Sequence, residues 1–363
     1  MPGEPISTHP DAPEDRAGAV GWTVLLGRRP RASAERASLV AWADRMADLL
    51  SPALADHLLA CAQVPDGPLI DPERAAKGRL YNRFLRRGQI GALRLILETG
   101  ARFVCLKGFA LAHQVYDEPE PRIVGDVDLL LHPDDLHKVT ARLSAAGYAA
   151  LPIANRFGFI SESSFLPIVS SDGQVAVDLH IASDAWPASR ALSVEAVFRR
   201  AVPFKVEEME LLGPTAEHAL FLVVTNIAKD RFGPEGVRKV VDAAMLLRSA
   251  RDFDWEVLAS LVESGGYSST FSALLRLMEK LGARPEAPAS LRRPLGFLAG
   301  RELERVATLY RRARVRPLGL AGKLRRELLL GPDPLSVLRI NVKRLRGLAR
   351  PGTGLPPGMT ERR

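Results

Sequence analysis

Two aspartates two residues apart, Asp126 and Asp128, interrupt the otherwise apolar run VGDVDLLL. On a β-strand successive side chains alternate faces, so both carboxylates share one face while Val127 and Leu129 pack behind them. Like charges so placed repel unless a proton or a cation lies between them, which points to a metal site or a proton-sharing pair. A later apolar run, VAVDLHI, puts Asp178 and His180 on one face of a second strand. Three carboxylates with a pair at i, i+2 suit two Mg²⁺ ions, with Mn²⁺ as a substitute, because hard cations take oxygen ligands and bridge substrate phosphates. Two such ions stabilise the attacking and the leaving oxygen of an in-line phosphoryl-type displacement.

Upstream, CLKGFAL reads as a strand that ends at a glycine opening a helix. Backbone N–H groups there, with Lys107, can meet an anionic phosphate, and Arg122 adds a second cation near Asp126. Each feature has a structural alternative. The two aspartates could turn to solvent at a strand end or cap a helix near Pro133, and Lys107 could be a solvated strand-end lysine. Arg122 could simply pair with a nearby acid, and Tyr116 reads as core. His180 beside an acid is read first as a hydrogen-bonded residue near the acceptor site and second as a catalyst.

The elements that must position these residues follow from the changing period of the apolar residues. Helical spacing covers roughly 33–62 and 77–98, the second helix closed by Gly100. RFVCLKG is a strand, FALAHQVYD a helix, EPEPR a breaker and IVGDVDLLLH the next strand. Pro133 opens a helix with Leu136, Val139 and Leu143 on one face, ended by Gly147. GFISESSFLPIVS and QVAVDLHIA form a hairpin about the turn SDG, and helices return from Ser193 to about Arg314. The fold class is α+β: a small mixed sheet with flanking helices and a C-terminal helical domain. The expected divisions are a disordered leader at 1–32, N-terminal helices packing on the sheet domain at 33–100, that domain at 101–190, helices at 191–315 and a basic tail at 316–363.

The chain has 363 residues and a formal net charge of +8, with pI near 9.8. From Arg301 onward there are 16 Lys/Arg against 5 Asp/Glu, a charge of +11, so the remainder carries about −3. The motif-bearing part is therefore not a polycationic binder. In the tail, Leu335, Leu338, Val342 and Leu345 make an apolar stripe, and Arg339, Lys343, Arg346 and Arg350 a basic one beside it. That pattern fits a helix docked on the bundle, or a contact with an acidic partner, RNA or a membrane surface. Cys61 and Cys105 lie in apolar surroundings without metal-ligand spacing and read as reduced core residues. No apolar run approaches ~18 residues and the N-terminus has no signal pattern, so the expected location is cytoplasmic with no transmembrane segment.

LKGFAL, Tyr116 after a spacer, PRIVGDVDLLL, an amphipathic helix ending in GY and then VDLHI together resemble the uncharacterised nucleotidyltransferase family of the polymerase-β-like superfamily. The resemblance spans roughly residues 77–247. It implies a nucleotidyltransferase palm in which Asp126 and Asp128 bind metal and Asp178 completes the site and accepts the nucleophile's proton. Lys107 and Gly108 take the place of the superfamily's Gly-Ser signature, which contacts the triphosphate; here Phe109 follows Gly108 and no serine is present. Nucleotide contacts are expected from Lys107, Gly108, Arg122 and Gly125. The later helix carries Asn226 and Asp230 where the resemblance implies histidines. The expected reaction moves a nucleoside monophosphate from an NTP to a small-molecule, protein or RNA acceptor and releases pyrophosphate. The alternatives are a non-catalytic palm-fold binding protein and, with more strands expected before the motif than are found, a metal-dependent glycosyltransferase.

Overall fold

The period-two runs of the sequence come together as one five-stranded mixed sheet. The computed structural model describes residues 13–26, 34–60, 67–151, 164–165 and 167–349. Its strands are β1 (Phe103–Cys105), β2 (Asp126–Leu131), β3 (Ala149–Ala150), β4 (Ile168–Val169) and β5 (Ala176–His180), in the order β1-β2-β5-β4-β3. β2 and β5 are parallel neighbours and the other pairs are antiparallel. The SDG turn joins β4 to β5 as expected, with Gly173 at φ +74° and Asp172 accepting the Gln174 N–H at 3.0 Å. Most of the run GFISESSF lies outside the described residues.

The two faces of β2 and β5 bury against different things. Val127, Leu129 and Leu131, with Val177 and Leu179, join one apolar core. Leu130, on the opposite face, belongs to the other core, built mainly from the helices. Asp126, Asp128, Asp178 and His180 stand on that second face, between sheet and helices.

Among the described residues four helices precede the sheet: α1 (Pro13–Leu25), α2 (Arg36–Leu50), α3 (Pro52–Ala60) and α4 (Pro72–Leu97). The Ser51-Pro52 break divides the first helical run in two. α4 starts at Pro72 behind an Asp71 cap whose side chain accepts the Glu73 N–H, and its Ile90, Leu93 and Ile96 fill the sheet's outer core. Between the strands run α5 (Lys107–Gln114) and α6 (Leu136–Ala145), the latter contributing Val139 and Leu143 to the same core. After β5 come α7 (Ala188–Ala191), α8 (Val194–Arg200), a hairpin of β6 (Val202–Val206) and β7 (Met209–Gly213), and then α9 (Ala216–Lys229), α10 (Pro234–Ser249), α11 (Trp255–Ser264), α12 (Ser268–Lys280), α13 (Phe297–Arg311), α14 (Leu320–Leu330) and α15 (Pro334–Ala349). Among the described residues no helix is long and apolar enough to cross a membrane.

The organisation departs from the expected divisions in four places. Within the expected leader, residues 13–26 are packed into the fold: Trp22 is fully buried and its Nε1–H donates to the Tyr310 carbonyl at 2.7 Å, while Asp15 takes two hydrogen bonds from Arg312 at 2.9 and 2.6 Å. Gly18 and Gly21 allow this approach, since a Cβ would fall 2.0 Å from the Arg311 oxygen and 2.2 Å from the Trp42 ring. Second, α1–α3 pack chiefly into the helical core rather than onto the sheet, and only α4 serves the sheet. Third, the stretch expected to be wholly helical contains the β6–β7 hairpin, whose Phe204, Val206, Met209 and Leu211 face the sheet's core. Fourth, the segment expected as tail begins with α14, where Leu330 and the Arg231–Glu327 ion pair belong to the bundle. α15 docks through Ser336 and Val337 with Arg339 over the Trp186 ring, leaving Leu335, Leu338 and Val342 exposed. Cys105 is a buried free thiol, and Cys61 lies outside the described residues.

Candidate active site

The parallel register sets Asp128 directly opposite Asp178, and His180, two residues further along β5, shares their face. One ligand atom from each of Asp128, Asp178 and His180 lies within 4.8 Å of the others. This group could bind a divalent metal ion, and the imidazole beside two carboxylates admits Mn²⁺ as well as Mg²⁺. Asp178 carries the fit: its Oδ1 is buried without a hydrogen-bond partner among the described residues, the kind of orphan that a cation satisfies. Asp126 is not part of this group, although sequence spacing grouped it with Asp128 and Asp178. It stands opposite Ala176 and is exposed at the rim of the same cavity. The difference is one of register, since β5 offers Asp126 an alanine and supplies its second polar group at position 180.

Lys107 reaches into the acid cluster. Its ammonium pairs with Asp128 Oδ1 and lies 3.4 Å from His180 Nε2, which is 2.8 Å from the same Asp128 oxygen. The residue sits at φ +48°, a left-handed conformation that disfavours a non-glycine side chain by about 1–2 kcal/mol. Burial opposes the charge on Lys107, but the charge and hydrogen bond of Asp128, with help from Asp184 and Asp126, outweigh it and hold the ammonium at about 12. Burial likewise would raise Asp128, yet Lys107 and the His180 hydrogen bond keep it well below the usual carboxylate range. For Asp178, burial, then the charges of Asp128 and Asp126, outweigh the opposing charge of Lys107 and push it up to about 7. Asp126 is raised by crowding among protein atoms and by Asp128, although its open position lets water screen part of that effect. Burial lowers His180, favouring the neutral ring; Nε2–H then donates to Asp128, and Nδ1 is a buried acceptor without a partner among the described residues.

Arg122, expected as a phosphate contact, lines the cavity between sheet and helices, and its guanidinium is also engaged within the protein. It is buried and donates to both oxygens of Asp242 on α10, at 2.9 and 2.7 Å, while its third nitrogen donates to the Gly108 carbonyl at 2.9 Å. Tyr116 donates its hydroxyl to the same Asp242 at 2.7 Å, in keeping with its reading as core. Arg122 therefore anchors the Lys107–Gly108 turn to the helical domain, and its charge is taken up by Asp242. The loop leading into β2 is held from the other side by α4, where Asn82, Arg86 and Gln89 donate to the carbonyls of Glu120, Pro119 and Val124.

Between sheet and helices lies a cavity of about 260 Å³ lined by Lys107, Gly108, Gly125, Asp126, Asp128 and Asp178 from one side. From the other side α9 contributes Asn226, and α10 contributes Arg238, Lys239 and Asp242. Asp230 pairs with Lys239 instead of lining the cavity. Burial lowers the Lys239 pKa; Asp242 opposes this, whereas Lys229, Lys107 and Arg122 add to it, so several cations act on this wall. The α10 residues were missed in the sequence. Their signal was a lone aspartate, Asp242, inside the apolar helical run VVDAAMLL, where a buried acid demands a cationic partner.

A family model described as uncharacterised nucleotidyltransferase matches residues 35–283. No curated protein matches the chain.

Proposed function

The chain belongs to the uncharacterised nucleotidyltransferase family, and from that premise we propose that it is a metal-dependent enzyme moving a nucleoside monophosphate from an NTP to an acceptor hydroxyl. The observation that carries this reading is the buried, unpartnered Asp178 oxygen facing Asp128 and His180 beside a cavity walled by cations. Asp128, Asp178 and His180 would hold a divalent cation, with Asp126 at the rim toward the substrate. Such a cation supplies positive charge at the transferred phosphoryl group.

The protein's own residues then have separable tasks. Lys107, Arg238 and Lys239 attract the polyphosphate, and Gly108 and Gly125, lacking side chains, let it lie close to the backbone. Closed by α9 and α10, the cleft orients the acceptor so that its oxygen lies in line with the departing group. The acceptor oxygen bonds to the α-phosphorus as the bond from that phosphorus to the bridging oxygen breaks. Pyrophosphate leaves with that electron pair, and the acceptor's proton passes to Asp178.

The test is incubation with each labelled NTP and Mg²⁺ or Mn²⁺, following label into protein, RNA and small-molecule fractions. Label transfer by the wild type, lost in both Asp126→Asn and Asp128→Asn, supports the reading. Wild-type turnover by either folded variant overturns the roles given to these aspartates.

A further inference from the structure

The last three helices present an apolar face that nothing in the described chain covers. On α14, Leu320, Leu324 and Leu328 recur every four residues and are exposed, Leu320 to 75% and Leu328 to 59%. On α15, Leu335 and Leu338 are exposed to 63% and 61%, and Val342 is open beside them. α13 adds Phe297 and Leu298 at its start, and a groove between α13 and α14 joins Leu298 to Leu328. Rows of leucine at helical spacing normally mark the buried side of a helix. Here the buried side is the other one, made of Leu303, Val306, Leu330 and Val337.

The charges around this face are sorted by sign. Arg301, Arg305, Arg316, Lys323, Arg325 and Arg339 are exposed on or beside the three helices. The acids of the same helices are turned inward or tied up. Glu302 is buried among Arg305, Arg325 and Arg326, and Glu327 is buried against Arg231. Glu304 pairs with Lys280, and Asp333 accepts from Ser336. The outward surface is therefore leucine ringed by cations, the combination that suits the boundary between acyl chains and anionic headgroups.

We propose that the α13–α15 face docks the protein on a membrane surface carrying anionic lipid. Other occupants fit less well. A second copy would bring like-charged surfaces together. A single-stranded nucleic acid would call for a row of aromatic stacking platforms, and among the described residues of this face Phe297 is the one exposed aromatic beside aliphatic side chains. Residues 351–363, PGTGLPPGMTERR, offer Leu355 and Met359 as their large apolar side chains, too little surface to cover the patch. The docked orientation needs no membrane-spanning helix, and it rests on none of the residues assigned to nucleotide transfer.

The test uses the full-length protein in flotation with vesicles of phosphatidylcholine alone or with added phosphatidylglycerol, at low and high salt. The expected result is flotation only with phosphatidylglycerol, reduced by salt. The variants Leu324→Ser/Leu328→Ser and Leu335→Ser/Leu338→Ser, which keep net charge and remove only exposed side chains, should each bind at least about tenfold more weakly with unchanged melting temperature. Absence of flotation at low salt would overturn the proposal. So would equal flotation by the serine variants, which marks adsorption by overall charge, or a wild-type dimer that those variants dissolve, which assigns the face to a second copy.

Discussion

Replacing Arg122 by methionine should destabilise the protein far more than replacing Arg122 and Asp242 together. The two side chains are 6% and 3% exposed, and the carboxylate takes two hydrogen bonds from Arg122 and one from Tyr116. Removing the guanidinium alone leaves Asp242 charged, buried and held by one hydroxyl, a change that costs about 3–5 kcal/mol. For 363 residues unfolding as one unit, an unfolding entropy of ~2.1 cal/mol/K per residue converts that loss into a melting-temperature drop of about 4–7 °C. In Arg122→Met/Asp242→Leu no charge is stranded, so the double variant should recover most of the drop, short of about 1 kcal/mol for the Tyr116 hydroxyl left without a partner.

The pH dependence gives a second sign to check. In the wild type Asp242 is held below its ordinary range: burial opposes this, but Arg122 outweighs it. Its contribution is thus present above the unfolded carboxylate pKa and lost as pH falls through the lower folded value. In Arg122→Met the buried, unpaired carboxyl is raised instead, so that variant should be less impaired at pH 5 than at pH 8. Calorimetric scans of the wild type, both single variants and the double variant at the two pH values decide the matter. A single variant melting within about 1 °C of the wild type, or a double variant melting below both singles, would refute the buried-pair reasoning.

Three further outcomes follow from the site and the fold. Asp178, raised to about 7 by burial and its acidic neighbours, stabilises the metal-free protein most below the unfolded carboxylate pKa and progressively less as pH climbs through 7. Asp178→Asn should therefore melt higher than the wild type at pH 8 in chelator and flatten the pH profile, whereas an unchanged slope from pH 5 to 8 would contradict the assignment. Lys107→Ala should weaken NTP binding by about 10–100-fold, the worth of one charge-assisted hydrogen bond, while changing Mn²⁺ binding less; calorimetry separates the two, and NTP–Mg²⁺ binding as in the wild type would leave Lys107 a structural partner of Asp128 alone. Trp22→Ala should cost about 3–5 kcal/mol, measured in urea, because α1 is part of the core and not a leader; a loss below 1 kcal/mol would mean that α1 adds little.

What could be read from the sequence was what depends on near neighbours. Alternation alone set Asp126 and Asp128 on one face of β2 and Asp178 and His180 on one face of β5. Which strands lie side by side, and in what register, is a long-range fact, and it decides that His180 joins Asp128 and Asp178 while Asp126 stays at the rim. The β6–β7 hairpin escaped notice because it turns at Glu207-Glu208, with Glu207 at φ +51° where Gly or Asn is the usual signal, and because Pro203 argues against a strand. Arg122 looked available for phosphate because its partner Asp242 is 120 residues away. The ordering of α1 was hidden in the same way, since composition weighs only the segment itself and its anchors are Tyr310 and Arg312.

The charges of the site explain why such a cluster can exist on a buried strand pair at all. Asp126, Asp128 and Asp178 bring three negative charges when ionised, and Lys107 returns one positive charge through its contact with Asp128. The imbalance of about two charges is that of one divalent cation, and without a cation the raised Asp178 relieves part of it by taking up a proton near neutral pH. Lys107 therefore makes the fold tolerable before any cation binds, and its position beside the Gly108 turn sets the same ammonium next to the cationic wall of α10. Neutralising Asp128 accounts for a lysine, not a glycine, at a left-handed backbone position: a glycine would suit φ +48° but would leave Asp128 buried without its cation, and in the proposed reaction the same ammonium would also meet the phosphates.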